Sequence, residues 1–172
     1  MVNDGSSDDT LDRLIEGYAL SPIGPVFRRV VESQPVREIY RSPDDDRLIV
    51  VDKHNGGKAD ALNAALNVAS GDLVCAIDAD TLVASDALQQ LVAPFLADGA
   101  TVAVGGTIRL VNDAEWRNGR VVELRAPRRP LVGAQAVEYA RSFLVGRIAW
   151  GPLGGNLIIS GAFGLFRRDA LL

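Results

Sequence analysis

The sequence predicts an α/β fold with a mostly parallel sheet flanked by helices, and three observations carry that prediction. Continuous apolar runs at 48–51 and 73–77 are typical of strands that are covered on both faces. Each run is followed by a polar loop and then by apolar residues at helical spacing. Carboxylates stand where strands are predicted to end, at Asp4, Asp78 and Asp80. Ligands of open α/β sheets lie beyond the carboxyl ends of the strands, so these acids are candidate ligand contacts.

The first third of the chain contains one strand end, one helix and one irregular stretch. Residues 1–2 have the character of the last residues of a strand, and 11–18 show helical spacing after an acidic start. The segment 21–46 contains four prolines and has no clear period. Only 26–32 within it favours a short helix.

The next helix is predicted to begin at Gly56, Gly57 and Lys58. Two glycines let the backbone approach a ligand closely, and a helix N-terminus attracts anions. Lys58 opposes the helix dipole at a cost of roughly a few tenths of a kcal/mol, which makes sense if a phosphate binds there. An exposed lysine on a surface turn is the alternative interpretation.

The middle of the chain repeats the alternation of helix and strand. A helix is predicted over 86–97, and Pro94 is expected to bend it or to end its regular part. Its inward-facing residues are expected to be Leu88, Leu91, Val92 and Leu96. A strand with a glycine bulge is predicted within 101–110, and a polar, basic loop over 112–130.

The last part of the chain is predicted as one amphipathic helix and one strand. The helix over 133–150 carries Arg141 and Arg147 beside an apolar stripe, a pattern that suits a membrane interface or an ordinary core helix. The strand lies within 157–168, where Gly161 would bring the backbone close to a ligand.

Composition and charge exclude several classes of protein. The 172 residues are enough for one domain, and the lone Cys75 cannot form an intrachain disulfide and favours a reducing compartment. A single histidine and no CxxC pair argue against a zinc site.

The charges are distributed unevenly along the chain. The first 86 residues carry 8 basic and 16 acidic side chains, and the other 86 carry 10 basic and 6 acidic ones. No nucleic-acid-binding motif accompanies the basic half, and no apolar run within the chain is long enough to span a membrane.

Asp78 and Asp80 form the most informative pair of side chains. Alternation along an extended chain would put both on one side, where they repel unless a cation lies between them. Mg²⁺ typically takes one or two carboxylates together with substrate phosphates. A strand that simply stops in a polar loop is the plain alternative. A haloacid-dehalogenase phosphatase is disfavoured, because Thr81 comes one place too early for that motif.

Four short motifs follow one another along the chain: Asp4-Gly5-Ser6, Gly57-Lys58-Ala59, Asp78-Ala79-Asp80 and Ser160-Gly161-Ala162-Phe163. Their order and spacing resemble those of family 2 glycosyltransferases, above all the membrane-bound synthases of chitin, hyaluronan, cellulose and poly-N-acetylglucosamine. The resemblance implies a GT-A nucleotide-sugar fold truncated at both ends. It also implies a nucleotide-sugar-binding half at 1–111 and an acceptor-side half at 112–172.

The resemblance also implies a role for each motif residue. Asp4 matches the aspartate that holds the uracil end of a UDP-sugar, and Lys58 matches the lysine that contacts the nucleotide phosphates. Asp78 matches the nucleotide-contacting first acid of a DxD motif, and Asp80 matches the ligand of Mg²⁺ or Mn²⁺. The acceptor-side segment is Ser160, Gly161, Ala162 and Phe163. Asn3 departs mildly from the family, which often has an acid there.

Transfer with inversion needs a general base, and the resemblance implies that this base lies beyond Leu172. The chain is therefore expected to be a fragment that binds the donor but is inactive alone. The expected partners are a UDP-sugar, a glycan acceptor and the cytoplasmic face of the cell membrane, with transmembrane segments outside the chain. The alternative function is a Rossmann-like module that binds a nucleotide or a membrane surface without transferase activity. A nucleotidyltransferase is disfavoured, because the expected glycine-rich N-terminal loop is missing.

Overall fold

In the computed structural model, the described residues are 1–117, 120–142, 159 and 163–172. The chain divides into two compact units. The first unit consists of Met1–Val74 and Arg167–Leu172, and the second of Cys75–Phe166.

The first unit is built on a four-stranded sheet with two helices. Its elements are β1 (Val2–Asn3), α1 (Thr10–Gly17), β2 (Ser21–Pro22), β3 (Val36–Arg41), β4 (Ile49–Lys53) and α2 (Lys58–Val68). The strand order is β1-β4-β3-β2. β1 runs parallel to β4, whereas β3 is antiparallel to both β4 and β2.

The core of the first unit lies on β4. Val50 and Val51 are fully buried, and Ile39 of β3 is buried as well. The helix α2 contacts β1 and contributes the buried side chains of Ala64 and Leu66. Burial of this kind stabilises by roughly 25 cal/mol per Å² of apolar surface, so the central strand of the sheet anchors the unit.

The irregular segment before β3 is held by a buried asparagine of α2. The Oδ1 atom of Asn67 accepts hydrogen bonds from the backbone N–H groups of Val30 (2.8 Å) and Val31 (2.9 Å). Its Nδ2 atom donates to the Val31 carbonyl at 2.9 Å. The helix predicted over 26–32 is therefore wrong, because these N–H groups bond to Asn67 and not to carbonyls one turn earlier.

Two further polar residues of α2 extend this contact along the same helix face. Asn63 donates to the Glu32 carbonyl at 2.9 Å, and the Asp60 carboxylate accepts the N–H of Gln34 at 2.9 and 3.1 Å. Residues three and four apart share one side of a helix. One polar stripe of α2 thus orders the stretch that leads into β3.

The remaining elements belong mostly to the second unit. They are β5 (Leu73–Ile77), α3 (Ala87–Ala97), β6 (Ala103–Gly105), β7 (Glu115–Arg117), β8 (Arg120–Glu123), α4 (Pro130–Ala140) and β9 (Phe163–Arg167), followed by a short 3-10 helix at Arg168–Ala170. One sheet has the order β5-β9-β6, and β7 pairs with β8. α3 contacts β6, and the buried apolar residues are Leu91, Phe163 and Leu165.

The α/β fold class with sheets flanked by helices is confirmed. The strand directions are more mixed than the mostly parallel arrangement that the sequence predicted. β1 and β4 are parallel, whereas the β2–β3, β3–β4, β6–β9 and β7–β8 pairs are antiparallel. The parallel β1–β4 pair positions the candidate site.

Several expectations about the burial and course of individual elements were wrong. β5 is only half-buried, and Ile77 at its end is exposed, so this strand is not covered on both faces. In α3 only Leu91 is buried, while Leu88 and Leu96 are exposed, because a narrow strip of this helix meets β6. Pro94 does not end the helix, which continues to Ala97, and the Pro94 carbonyl accepts the N–H of Asp98 at 2.9 Å. A bend at Pro94 stays a prediction.

The region 112–130 was predicted as a loop but contains the antiparallel pair β7–β8. Its polar sequence lacks an apolar alternation, and its charged residues form ion pairs. Arg125 lies 2.5 Å from Glu115 and 3.1 Å from Glu123. The sequence pattern missed these strands because the periodicity criterion counts only apolar side chains.

The predicted amphipathic helix is present in part. α4 begins at Pro130, a residue suited to the first helical turn, and not at 133. Leu131 and Val137 on this helix are exposed. Residues 143–150 of the prediction lie outside the described part. Across the described ranges, no helix combines the length and the apolar character that crossing a bilayer requires.

Candidate functional site

The parallel pairing of β1 and β4 creates the candidate site. The register places Val2 opposite Val51 and Asn3 opposite Asp52. Since both strands run in the same direction, their carboxyl ends meet at one edge of the sheet. Asp4, which follows Asn3, and Lys53, which follows Asp52, are therefore neighbours at that edge.

The carboxylate of Asp4 closes the loop between β4 and α2. Its Oδ1 atom accepts from Lys53 Nζ and from the N–H of Gly56 at 3.0 Å, and its Oδ2 atom accepts the N–H of Gly57 at 2.7 Å. A carboxylate offers about four acceptor positions, so these contacts leave one, on Oδ2. The Asp4 side chain as a whole is 20% exposed, so the carboxylate is not fully shielded from solvent.

The charges of the cluster keep its groups ionised. Burial raises the pKa of Asp4, but hydrogen bonds from Lys53, Gly56 and Gly57 outweigh it and hold that pKa below its usual value. Burial lowers the pKa of Lys53, yet its contacts with Asp4 and Asp60 raise it above the ordinary lysine value. The hydrogen bond from Lys53 lowers the pKa of Asp60. The cluster is therefore an ammonium between two carboxylates at neutral pH.

A second polar pair lies one residue earlier on the same two strands. Asn3 Nδ2 donates to Asp52 Oδ1 at 2.7 Å, and both side chains are buried. Arg37 of β3 lies 3.8 Å from the other Asp52 oxygen. Successive residues of a strand face opposite sides of the sheet. The Asn3–Asp52 pair and the Asp4–Lys53 pair therefore lie on opposite faces.

Gly5 allows the chain to turn immediately after Asp4. Its φ angle is +71°, and a Cβ atom there would lie 2.8 Å from the backbone nitrogen of Asn55. Asn55 in turn donates from Nδ2 to the Asp4 carbonyl at 2.8 Å. The two loops of the site thus touch backbone to backbone, and only glycine fits at the contact.

We expect Gly5→Ala to lower the free energy of unfolding by about 3 kcal/mol, from a left-handed backbone angle together with overlap against a backbone atom. Gly24→Ala is the matched control, because its φ is +82° and nothing lies within 4 Å of its Cβ position. That control should cost only about 1 kcal/mol. Urea unfolding of both variants measures the difference, and equal losses would contradict the contact.

The N-terminus of α2 lies directly after the loop that Asp4 holds. Gly57 is the residue before the helix, without a side-chain cap, and Lys58 is the first helical residue. Helix N-termini carry a partial positive charge and bind phosphates. Lys58 therefore stands where an anionic ligand would gain from both the dipole and the ammonium.

Asp78 and Asp80 lie in a turn after β5. The N–H of Thr81 donates to the Asp78 carbonyl at 3.0 Å. The prediction that this segment is extended, from which we inferred that both carboxylates lie on one side, is therefore wrong. Asp78 is half-buried and Asp80 is exposed. Two carboxylates are hard oxygen donors that suit Mg²⁺ or Mn²⁺ completed by substrate phosphates. No group of three or more His, Cys, Asp or Glu side chains that could hold a metal ion occurs within the described ranges.

The predicted acceptor segment is only partly described. Phe163 is the buried first residue of β9. Ser160, Gly161 and Ala162 lie outside the described residues, and their acceptor role stays a prediction.

Sequence reasoning missed two residues of the site, Lys53 and Asp60. The apolar run of β4 was predicted to end at Val51, which left Lys53 without an assigned place. Its signal was available in principle: a charged residue that closes a buried strand needs a partner.

Comparisons with known proteins bear on the whole chain. A family model described as "Glycosyl transferase family 2" matches residues 1–171. The poly-beta-1,6-N-acetyl-D-glucosamine synthase of Staphylococcus aureus (strain COL) is 30% identical over 175 residues, which cover 100% of this chain and 32% of that protein. An N-acetylglucosaminyltransferase of Bradyrhizobium diazoefficiens is 29% identical over 137 residues, or 80% of this chain and 25% of that protein. The chain thus spans about a third or less of the length of these relatives.

Proposed function

Because the chain belongs to glycosyl transferase family 2, we propose that it forms the donor-binding part of a transferase that moves a sugar from a UDP-sugar to a growing glycan. The names of the two relatives favour N-acetylglucosamine as the sugar. Both relatives are longer than this chain, so the complete reaction is assigned here to the whole protein.

The observation that carries the proposal is the arrangement of Asp4 beside the N-terminus of α2. The acceptor position that remains on Asp4 Oδ2 suits one N–H donor, and the N3–H group of uracil is such a donor. Lys58 and the helix dipole suit the diphosphate. A nucleobase contact and a phosphate contact therefore adjoin the same short loop, Gly56–Gly57.

The proposed chemistry is displacement at the anomeric carbon with inversion. An acceptor hydroxyl forms the new C–O bond, the bond to the UDP oxygen breaks, and the hydroxyl proton passes to a general base. Lys58 would stabilise the charge that develops on the departing diphosphate.

The resemblance also implies roles for Asp78 and Asp80 of the second unit. Asp78 is proposed as a nucleotide contact and Asp80 as the ligand of Mg²⁺ or Mn²⁺. When bound, such an ion supplies positive charge to the diphosphate leaving group. Two exposed or half-buried carboxylates in a turn fit an ion whose remaining ligands come from the substrate.

The proposed acceptor is a glycan contacted by the segment 160–163. The resemblance to membrane-bound synthases suggests that the whole protein works at the cytoplasmic face of the cell membrane. The apolar side chains that α4 exposes, Leu131 and Val137, would suit an interfacial position.

The test is calorimetric titration of UDP into the chain with and without Mn²⁺, using the wild type and Asp80→Ala. We expect the ion to tighten binding of UDP to the wild type at least about tenfold, equivalent to about 1.4 kcal/mol. Asp80→Ala should remove that gain and leave the weaker, ion-independent binding in place. Asp86→Ala is the matched control, because Asp86 is an exposed carboxylate that accepts a hydrogen bond from Gln90 Nε2 at 2.6 Å.

A folded wild-type protein that does not bind UDP, either with or without Mn²⁺, would refute the donor-site proposal. Equal behaviour of the Asp80 and Asp86 variants would refute the metal assignment alone. If UDP binds but the full-length protein transfers no sugar from UDP-N-acetylglucosamine, the alternative function, a nucleotide-binding module without transferase activity, would be favoured.

A further inference from the structure

Lys53 is a buried ammonium with a complete set of partners. Its side chain has no exposed surface. The Nζ atom contacts Asp4 Oδ1, lies 2.5 Å from Asp60 Oδ1 and donates to the His54 carbonyl at 2.6 Å. An ammonium has three donors, so all three are used. Removing one member of such a cluster leaves an uncompensated buried charge.

The three partners belong to three different segments around the candidate site. Asp4 follows β1, His54 begins the loop after β4, and Asp60 lies in the first turn of α2. The loop that contains Gly56 and Gly57 therefore runs between groups that Lys53 holds together. Asp60 also accepts the N–H of Gln34, which connects the cluster to the segment before β3.

Lys53 also decides which acceptor position of Asp4 faces a ligand. With Lys53 and Gly56 on Oδ1 and Gly57 on Oδ2, the carboxylate cannot rotate without losing hydrogen bonds. A carboxylate fixed in this way presents one acceptor position in one direction. Without the ammonium, Oδ1 would regain an acceptor position and the carboxylate could turn.

We propose that Lys53 is a positioning residue that couples nucleobase selection to phosphate binding. It fixes the Asp4 carboxylate on one side of the loop and the first turn of α2, which carries Lys58, on the other. Having no exposed surface, it acts only through these neighbours and touches no ligand. The inference rests on the proposed function, because it assigns Asp4 to the base and Lys58 to the phosphates.

The test compares UDP and CDP affinities of the chain for the wild type, Lys53→Met and the double variant Lys53→Met/Asp60→Asn. Cytosine has an acceptor at N3 where uracil has a donor, so the wild type should prefer UDP at least tenfold. Lys53→Met should weaken UDP binding tenfold or more and bring the UDP-to-CDP preference close to one. The double variant removes one positive and one negative charge together, and serves if the single variant does not fold.

Arg47→Met is the matched control, since it removes an exposed cation whose partner is Asp45. It should leave both affinities unchanged. Circular dichroism at the titration temperature identifies the folded samples. A folded Lys53 variant that keeps the wild-type preference for UDP overturns the inference, because a merely structural lysine would change stability and not base selectivity. Loss of folding in both Lys53 variants also overturns it.

Failure of the underlying function gives a different result. If the wild type itself does not bind UDP, the donor site and the role of Lys53 fall together. If the wild type binds and selects UDP while the Lys53 variants do the same, only the inference about Lys53 fails.

Discussion

Asn3→Asp should destabilise the chain by about 3 to 4 kcal/mol at pH 7. Asn3 Nδ2 and Asp52 Oδ1 are 2.7 Å apart, and both residues are only 5% exposed. The substitution would place two carboxylates in contact, so one of them must stay protonated in the folded state. Holding a carboxyl of pKa about 3.9 protonated at pH 7 costs about three pKa units, or roughly 4 kcal/mol. Arg37, at 3.8 Å, offsets part of this cost.

Urea unfolding at pH 7 and at pH 4.5 measures the effect and its cause. The protonated carboxyl has a folded-state pKa above its unfolded value, so its penalty grows as the pH rises above about 4 and is small below that. The loss should therefore shrink markedly at pH 4.5. The exchange variant Asn3→Asp/Asp52→Asn is the control, because it restores one amide and one carboxylate. A loss that does not depend on pH, or no recovery in the exchange variant, would contradict the explanation.

This prediction bears directly on the resemblance to the family. The resemblance implies an acid at the position of Asn3, yet this chain has a buried Asp52 opposite it in the register. The parallel pairing of β1 and β4 thus gives a physical reason for the amide. The residue that departs from the family pattern is the one that avoids a second buried negative charge.

The sequence predicted those features that arise within one element. The apolar runs at 48–51 and 73–77 appear as β4 and β5, and the helical patterns appear as α1, α2 and α3. Periodicity of side chains is a local property, so it identifies a strand or a helix without knowledge of its neighbours. The same argument explains why directions of pairing were predicted less well, since direction depends on distant segments.

The stretch 21–46 includes β2 and β3, and its part before β3 could not be predicted because the order of that part comes from another element. The backbone N–H groups of Val30, Val31 and Gln34 bond to side chains of α2 that lie 26 to 37 residues further along. Nothing in a local window indicates such partners. The site shows the same limit: Asp4 and Lys58 belong to motifs that resemble the family, but Lys53 becomes meaningful only when the register of β1 and β4 is known.

Asn67→Ala should lower the free energy of unfolding by about 3 kcal/mol. The amide makes three hydrogen bonds to the backbone of Val30 and Val31, all between 2.8 and 2.9 Å. Asn67 is buried, so its removal leaves partly buried N–H and C=O groups without this partner. Each unsatisfied buried group costs about 1 to 3 kcal/mol, and water or local relaxation recovers a part. The better helix propensity of alanine offsets a few tenths of a kcal/mol.

Asn63→Ala is the matched control for this prediction, because it removes an asparagine from the same face of α2. Asn63 makes one exposed hydrogen bond, to the Glu32 carbonyl, so its loss should cost no more than about 1 kcal/mol. Hydrogen exchange should show the Val30 and Val31 amides losing protection in Asn67→Ala but not in Asn63→Ala. Similar stability of the two variants would mean that the segment before β3 is held by its apolar contacts. The amide of Asn67 would then follow the segment's conformation and not determine it.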